Sequence, residues 1–305
     1  MKIDVKYPDI NRIDWSDYLA SYPDLKAAFG HDVVAARDHW IHNGKHEGRH
    51  VKLRRVDYNL LKDTIVTKYT QPVDTHRVNI VTSLYHEHLV SRMKEYCLTL
   101  SINAASEFIE NIVVFWDTET GPIPQEIDQY MKTNDKIHVL AHAGRPSFHT
   151  LLMYCNDHES NNMWCICNGD IVITNDVHKL QHINMSNKLL ALTRWEFVSE
   201  RDISVFHVER CVQQHLHGPQ PNMYSQDTWC VKKGLNIPVD CGDIHMGTIL
   251  CDSRLSDCFK HNNISVFNPC LDIKTLHVHL QNNRSQTYNK HHPGCVECCD
   301  IKSIV

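Results

Sequence analysis

No stretch of the 305 residues is apolar and unbroken for long enough to cross a bilayer, and the opening Met1-Lys-Ile-Asp-Val-Lys-Tyr-Pro8 has no apolar core of signal-peptide length. The expectation is a soluble, cytoplasmic protein with no transmembrane segment. A basic surplus is missing too: 31 Lys and Arg face 36 Asp and Glu, a net charge of -5. Non-specific nucleic-acid binding needs cations to displace counterions, so no nucleic-acid partner is expected. There is no Gly-rich phosphate loop, which leaves nucleotidyl transfer from a nucleoside triphosphate unsupported. Nor does a second cysteine pair at zinc-finger distance accompany His291-His292-Pro-Gly-Cys295-Val-Glu-Cys298-Cys299. Residues 291–305 therefore read as a Cys-rich tail, with a structural metal site as the alternative.

What the chain does have is a hydrophobic content of 42%, enough for one large domain with an appendage. Thirteen cysteines, an odd number, are scattered through apolar runs (Cys97, Cys155, Cys165, Cys167, Cys230, Cys251). That pattern fits reduced, buried thiols better than a disulfide framework. The 23 histidines form no periodic tract and read mostly as surface and packing residues.

Residues 1–55 read as a small helical module. Trp15-Ser-Asp-Tyr18-Leu19, Tyr22-Pro-Asp-Leu25 and Ala35-Ala-Arg-Asp-His39-Trp40-Ile41 carry apolar residues at helical spacing, with glycines at the stops. The segment resembles a helical module attached to bacterial and viral surface or polysaccharide-related proteins. Its usual pattern is an Asp-Tyr-Leu, a Tyr-Pro-Asp-Leu and a closing His-Gly-x-x-Glu-Gly-Arg, here Asn43-Gly44-Lys45-His46-Glu47-Gly48-Arg49. The resemblance implies packing or protein docking, or merely a folding cap, and no chemistry. Residues 56–76, polar after a basic start, read as a linker.

From 77 to 290 strand and helix signals alternate. Val78–Leu84, Ile112–Trp116, Ile137–Ala141 and Trp164–Cys167 are apolar runs of strand length, Leu89–Ala105 carries a helical apolar face, and a further helix begins at Pro146. The alternation predicts an α/β domain with a mostly parallel, Rossmann-like sheet flanked by helices, whose ligands gather at the carboxyl ends of the strands. At one such end lies Asn168-Gly169-Asp170. Two side-chain oxygens around a glycine can be aimed at one point to hold a hard cation such as Mg2+ or Mn2+; an ordinary Asn-Gly turn with a solvated aspartate is the alternative.

Seven motifs occur in order: Arg145-Pro146-Ser147-Phe148, Asn168-Gly169-Asp170-Ile171, Leu192-Thr193-Arg194-Trp195, Ser225-Gln226-Asp227-Thr228-Trp229, Cys251-Asp252-Ser253-Arg254, Asn268-Pro269 and His277-Val278-His279. The series resembles nucleotide-sugar-dependent glycosyltransferases of the GT-A fold, and within them a poorly characterised bacterial and viral branch. Three substitutions depart from its pattern: Ser147 for threonine, Ser253 for asparagine, and Asn168 for the first aspartate of Asp-x-Asp. The last leaves Asp170 as the chief anionic ligand.

The resemblance implies a transferase of polysaccharide biosynthesis that uses Mn2+ or Mg2+, a nucleotide-sugar donor and a glycan or other hydroxyl acceptor. It implies Asp170 as metal ligand, with His277 or His279 completing the shell. The two alternate on a strand, so only one faces inward, and His277 is favoured. Asp252 and Asp227 are the candidate catalytic carboxylates. Asp252 is either the general base for the acceptor hydroxyl or a helix cap. The helix dipole and a nearby cation are expected to keep it ionised. Asp227, two residues before Trp229, contacts sugar hydroxyls or is structural. Arg145, Arg194 and Arg284 are candidates for the diphosphate, since a guanidinium matches phosphate oxygens bidentately, with surface ion pairing as the alternative. Ser83 and Tyr85 end the first strand, where by analogy the fold receives the nucleoside base. The competing reading is a non-catalytic carbohydrate-binding or assembly protein on the same scaffold.

Overall fold

The computed structural model describes residues 13–52, 58–160, 162–199, 206–210, 225–278, 296 and 299–304. His279, Arg284 and most of the tail from His291 to Cys298 lie outside these residues. The described chain divides into two compact units, 13–52 and the residues from Tyr58 onward.

In the smaller unit, helices α1 (Trp15–Ser21), α2 (Pro23–Phe29) and α3 (Val33–His39) lead into a π turn, Trp40–Gly44. Asp14 and Asp32 cap α1 and α3 by accepting backbone N–H groups, and Pro23 opens α2 where no N–H is needed. Trp15, Tyr18, Leu19, Leu25, Ala36 and Trp40 form the core. A Cβ at Gly44 would sit 2.2 Å from the Tyr18 hydroxyl oxygen, which explains that glycine in the closing motif. Arg49 of the same motif donates to both Asp24 carboxylate oxygens at 3.0 and 2.7 Å and to Glu47 at 2.6 Å, with its guanidinium 4.7 Å from the Tyr22 ring centroid. The motif thus ties the end of the unit back to its second helix.

The larger unit opens with α4 (Tyr58–Tyr69), so the stretch read as a linker contains a helix, with Leu61 and Ile65 fully buried. Then follow β1 (Val78–Tyr85), α5 (Val90–Ala105), β2 (Ile109–Asp117), α6 (Gln125–Lys132), β3 (Ile137–His142), α7 (Phe148–Asp157), β4 (Met163–Asn168) and β5 (Ile171–Ile173). Beyond them are β6 (Lys188–Thr193), β7 (Trp195–Ser199), β8 (Phe206–Arg210), β9 (Gln226–Val231), α8 (Cys251–His261), β10 (Ser265–Phe267) and β11 (Thr275–His277). Seven strands form one sheet in the order β10-β6-β9-β4-β1-β2-β3. Within it only β9 runs against its neighbours. This is the mostly parallel α/β sheet expected from the sequence.

Alternation along β1 divides the core. Val78, Ile80 and Leu84 pack with Tyr96 and Leu100 of α5 and Ile127 and Met131 of α6. Val81 packs on the other face with Phe148 and Leu151 of α7 and Leu255 and Phe259 of α8. Helices therefore cover both faces, as a sheet buried on both sides requires. Cys97, Cys155, Cys165, Cys167, Cys230, Cys241, Cys251 and Cys258 are free thiols, and burial pushes those of Cys155 and Cys167 well above the usual range, which makes them packing residues.

A second sheet of four short strands, β5-β11-β7-β8, stands beside the first. The chain passes from β4 in the large sheet to β5 in the small one across Gly169 and Asp170. The acidic turn is thus the corner joining the two.

Candidate functional site

Parallel topology puts the ends of β1, β2, β3, β4 and β6 on one edge, where the antiparallel β9 begins. Register then decides which side chains meet. Ser83 is opposite Asn168, and Cys167 is opposite Thr228, which brings Asn168 and Asp227 side by side. Asn168 Nδ2 donates to Asp227 Oδ1 at 2.8 Å, and Arg194 donates through Nη1 to Asp227 Oδ2. Arg194 is buried, so its bond to Asp227 is an interior ion pair and not a surface one.

Asp170 is 4% exposed, which removes the reading of a solvated turn aspartate. Its Oδ2 accepts from His277 Nε2–H at 3.0 Å and from Arg92 Nη2–H. Burial opposes ionisation, but the contacts with His277 and Arg92 outweigh it and hold the Asp170 carboxyl well below the usual range. Its Oδ1 is buried without a hydrogen-bond partner among the described residues. His277 is opposite Ile171 in the small sheet, and Val278 N donates to Asp170 O at 2.8 Å. Residues 107 positions apart are therefore locked together by backbone and side chain alike. Because β11 lies between β5 and β7, His277 is on an interior strand and not on a polar edge. Asn168 and Asp170 do not share a partner: the first is bonded to Asp227, the second to Arg92 and His277.

Sequence reading missed the element that fixes this corner. Beside its apolar face α5 carries a second, polar stripe, Arg92, Glu95, Thr99 and Asn103, at spacings of three and four that the sequence itself displays. Thr99 Oγ1 donates to Gly169 O at 2.5 Å. Asn103 bonds both sides of β5, donating to Ile171 O at 2.9 Å and accepting from Ile173 N at 3.0 Å. A buried polar stripe facing a strand end is the signature of a helix that satisfies backbone where a sheet stops.

A Cβ on Gly169 would lie 2.3 Å from Leu84 Cδ2 of β1. Gly169→Ala is expected to lower stability by about 1–3 kcal/mol through overpacking. In urea unfolding, Leu84→Ala should cost less in the Gly169→Ala background than alone, because it removes the clashing methyl. Strict additivity of the two changes would refute the clash.

Asp252 lies in the first turn of α8, behind Leu250 in left-handed conformation at φ 60°. Its Oδ2 accepts from Ser225 N and its Oδ1 from Ser253 N, both at 2.9 Å. Ser225 is left-handed too, at φ 61°. Two strained non-glycine residues thus flank one carboxylate, a pattern found at sites where geometry is over-determined. The surroundings of Asp252 work against the ionised form that the helix dipole and a cation are expected to favour. Burial, then the charge of Asp227, raise its pKa against the pull of the backbone N–H groups.

Ser83 and Tyr85 lie at the end of β1 as expected, half-buried, with the Tyr85 hydroxyl bonded to Tyr96 at 3.0 Å and Glu87 at 3.1 Å. Arg145 is exposed after β3, its carbonyl accepting from His245 Nδ1 at 2.9 Å. The remaining motif residues are structural joints. Ser147 caps α7, Phe148 meets Trp229 edge-on at 4.6 Å, and Asn268 bonds Thr193 through both its amide atoms at 2.9 Å.

No group of three or more His, Cys, Asp or Glu side chains arranged to hold a metal occurs among the described residues. Asp170 and His277 nonetheless fit a divalent ion. Their facing atoms are 3.0 Å apart, the separation of adjacent ligands about 2.1 Å from one ion, and Asp170 Oδ1 has no partner among the described residues. Two protein ligands suit an ion that takes the rest of its shell from phosphate oxygens and water.

No protein-family model matches the chain, and no curated protein matches it. Among solved structures it is similar to GalNAc-T7 with UDP, GalNAc and Mn2+ (9% identity, 71% of this chain, 46% of that chain, TM-score 0.44). It is also similar to the mannosyltransferase PcManGT from Pyrobaculum calidifontis in complex with GDP-Man and Mn2+ (10% identity, 74% and 65% of the two chains, TM-score 0.43). A third is a Bacillus anthracis protein assigned as a glucose-1-phosphate thymidylyltransferase, in complex with a sucrose (10% identity, 70% and 98%, TM-score 0.39). The chain spans less than half the length of the first of these.

Proposed function

We propose that the larger unit is a divalent-metal-dependent glycosyltransferase that moves a sugar from a nucleoside diphosphate to a hydroxyl acceptor. The observation that supports it most is the meeting of Asp170 and His277 at 3.0 Å on the carboxyl edge of the sheet. A divalent ion bound there would stabilise the negative charge that gathers on the departing diphosphate. Asp170 and His277 would hold it, with Thr99 and Asn103 of α5 fixing the backbone on either side of Asp170.

Across the strand ends, Asp252 would accept the proton of the acceptor hydroxyl. A buried carboxylate with raised pKa is a stronger base than a solvated one. Asp227, fixed by Asn168 and Arg194, supplies part of the charge that raises it. Arg145 is exposed on the same edge and free to meet the diphosphate, while Ser83 and Tyr85 would border the nucleoside. The smaller unit would serve for docking. No helix among the described residues is long and apolar enough to cross a membrane.

A panel of UDP- and GDP-sugars, each with Mn2+, should raise the unfolding temperature of the chain. Binding to the folded state alone contributes about 2.7 kcal/mol at a hundred times Kd. Protection by a nucleotide sugar that vanishes with EDTA is the expected result. Protection by free glycans with no metal-dependent nucleotide effect would favour the carbohydrate-binding reading, to which the bond between the Asn168 amide and Asp227 lends some support.

A further inference from the structure

The acidic corner already holds a positive charge. Arg92 donates through Nη2 to Asp170 Oδ2 and through Nη1 to Glu95 Oε2 at 2.7 Å, and its guanidinium lies 4.7 Å from the Tyr96 ring centroid. Glu95 is fully buried and the Arg92 side chain is 14% exposed. A guanidinium is charged at any physiological pH, and here it sits between the carboxylates of Asp170 and Glu95. A divalent ion entering beside Asp170 therefore meets a fixed cation on the very oxygen it needs.

Formal charge shows the consequence. Two carboxylates and one guanidinium, with the His277 imidazole neutral as a metal ligand must be, leave one net negative charge at the corner. A bare divalent ion would turn this into one net positive charge in a buried place, which is unfavourable. An ion arriving with a nucleotide sugar, whose diphosphate carries two negative charges, restores the original balance. The guanidinium fork that now grips a carboxylate has the geometry to grip a phosphate.

Resting on the metal site read above, we propose that Arg92 is a resident counter-cation that makes ion binding conditional on the donor. It holds Asp170 in place without the ion, weakens binding of the bare ion, and passes to the diphosphate when ion and donor enter together. Arg92 is thus a positioning and selectivity residue, and Glu95 and the Tyr96 ring steer it.

The test is a titration with Mn2+ alone, and with Mn2+ plus UDP or GDP, followed by the EPR signal of free Mn2+. Arg92→Met by itself would strand two buried carboxylates, so the variant of choice is Arg92→Met with Glu95→Gln, which removes charge in balance. Arg92→Lys, which keeps a cation on a similar stem, is the companion. In the double variant the net charge of the corner is unchanged but Asp170 Oδ2 is freed of its guanidinium, so bare-ion affinity is expected to rise at least tenfold, and the gain in Mn2+ affinity caused by UDP or GDP, which has lost the Arg92 fork, to shrink at least tenfold. Arg92→Lys should bind the bare ion as weakly as the wild-type chain. Unchanged bare-ion affinity and unchanged coupling in the double variant would overturn the proposal and leave the metal site standing. Absence of Mn2+ binding in all three proteins, with or without nucleotide, would overturn the metal site and the proposal together.

Discussion

Asp170→Ala is expected to abolish Mn2+-dependent turnover of nucleotide sugars and to cost about 3–5 kcal/mol of stability. The second effect follows from burial: Asp170 is the joint partner of Arg92 and His277, and removing one member of a buried charged set strands the others. The first follows from the loss of both carboxylate oxygens at the proposed ion site. Asp170→Asn separates the two effects. The amide keeps the shape and one acceptor for His277 or Arg92, so more of the fold should survive while metal-dependent nucleotide binding is lost. Calorimetric titration of each purified variant with Mn2+ and UDP or GDP reads the binding, and urea unfolding reads the stability. Full activity in a folded Asp170→Ala chain would sink the metal assignment.

Asp252→Asn should behave in the opposite way. Mn2+-dependent nucleotide binding is expected to survive, while turnover falls by about 10²–10⁴, the usual contribution of a positioned base. The price in stability is about 1–3 kcal/mol, because the amide nitrogen cannot accept from the backbone N–H groups now served, those of Ser225 and Ser253 among them. Equal loss of folding and binding would mark Asp252 as a cap only.

The pH dependence gives an independent check. A base works ionised, and burial with Asp227 raises this pKa, so turnover should fall as pH drops through a value above that of an ordinary aspartate. Asp227→Asn removes the neighbouring charge and should move that acid limb to lower pH. Stability has the opposite slope. The folded chain binds the Asp252 proton more tightly than the unfolded chain, so this group's contribution is fully present below the ordinary aspartate pKa and is lost as pH rises through the raised one. Asp252→Asn should flatten that slope in unfolding measured from mildly acidic to neutral pH.

Much of the architecture was legible because the apolar runs are unusually pure. Val78-Asn-Ile-Val-Thr-Ser-Leu and Ile112-Val-Val-Phe-Trp are buried on both faces, and such strands cannot be mistaken for solvent-facing ones. Asp170 and the late histidines were legible as ligand types, yet nothing local in either segment says that they meet. That depends on a second sheet made of three-residue strands, β5 and β11, too short to leave a periodic trace. Arg92 escaped for a different reason. An arginine on an amphipathic helix is normally on the solvated face, and only the polar residues at 95, 99 and 103 mark that side as buried. The raised pKa of Asp252 was equally out of reach, since it depends on Asp227, which approaches from another strand.

Because the passage between the two sheets runs through Gly169 and Asp170, selection for a well-folded chain would by itself retain Asp170, His277 and Arg92. Among natural variants, these three should persist even in lineages that have given up turnover. Decay of the activity should be recorded first at solvent-facing Arg145, where nothing in the interior resists replacement.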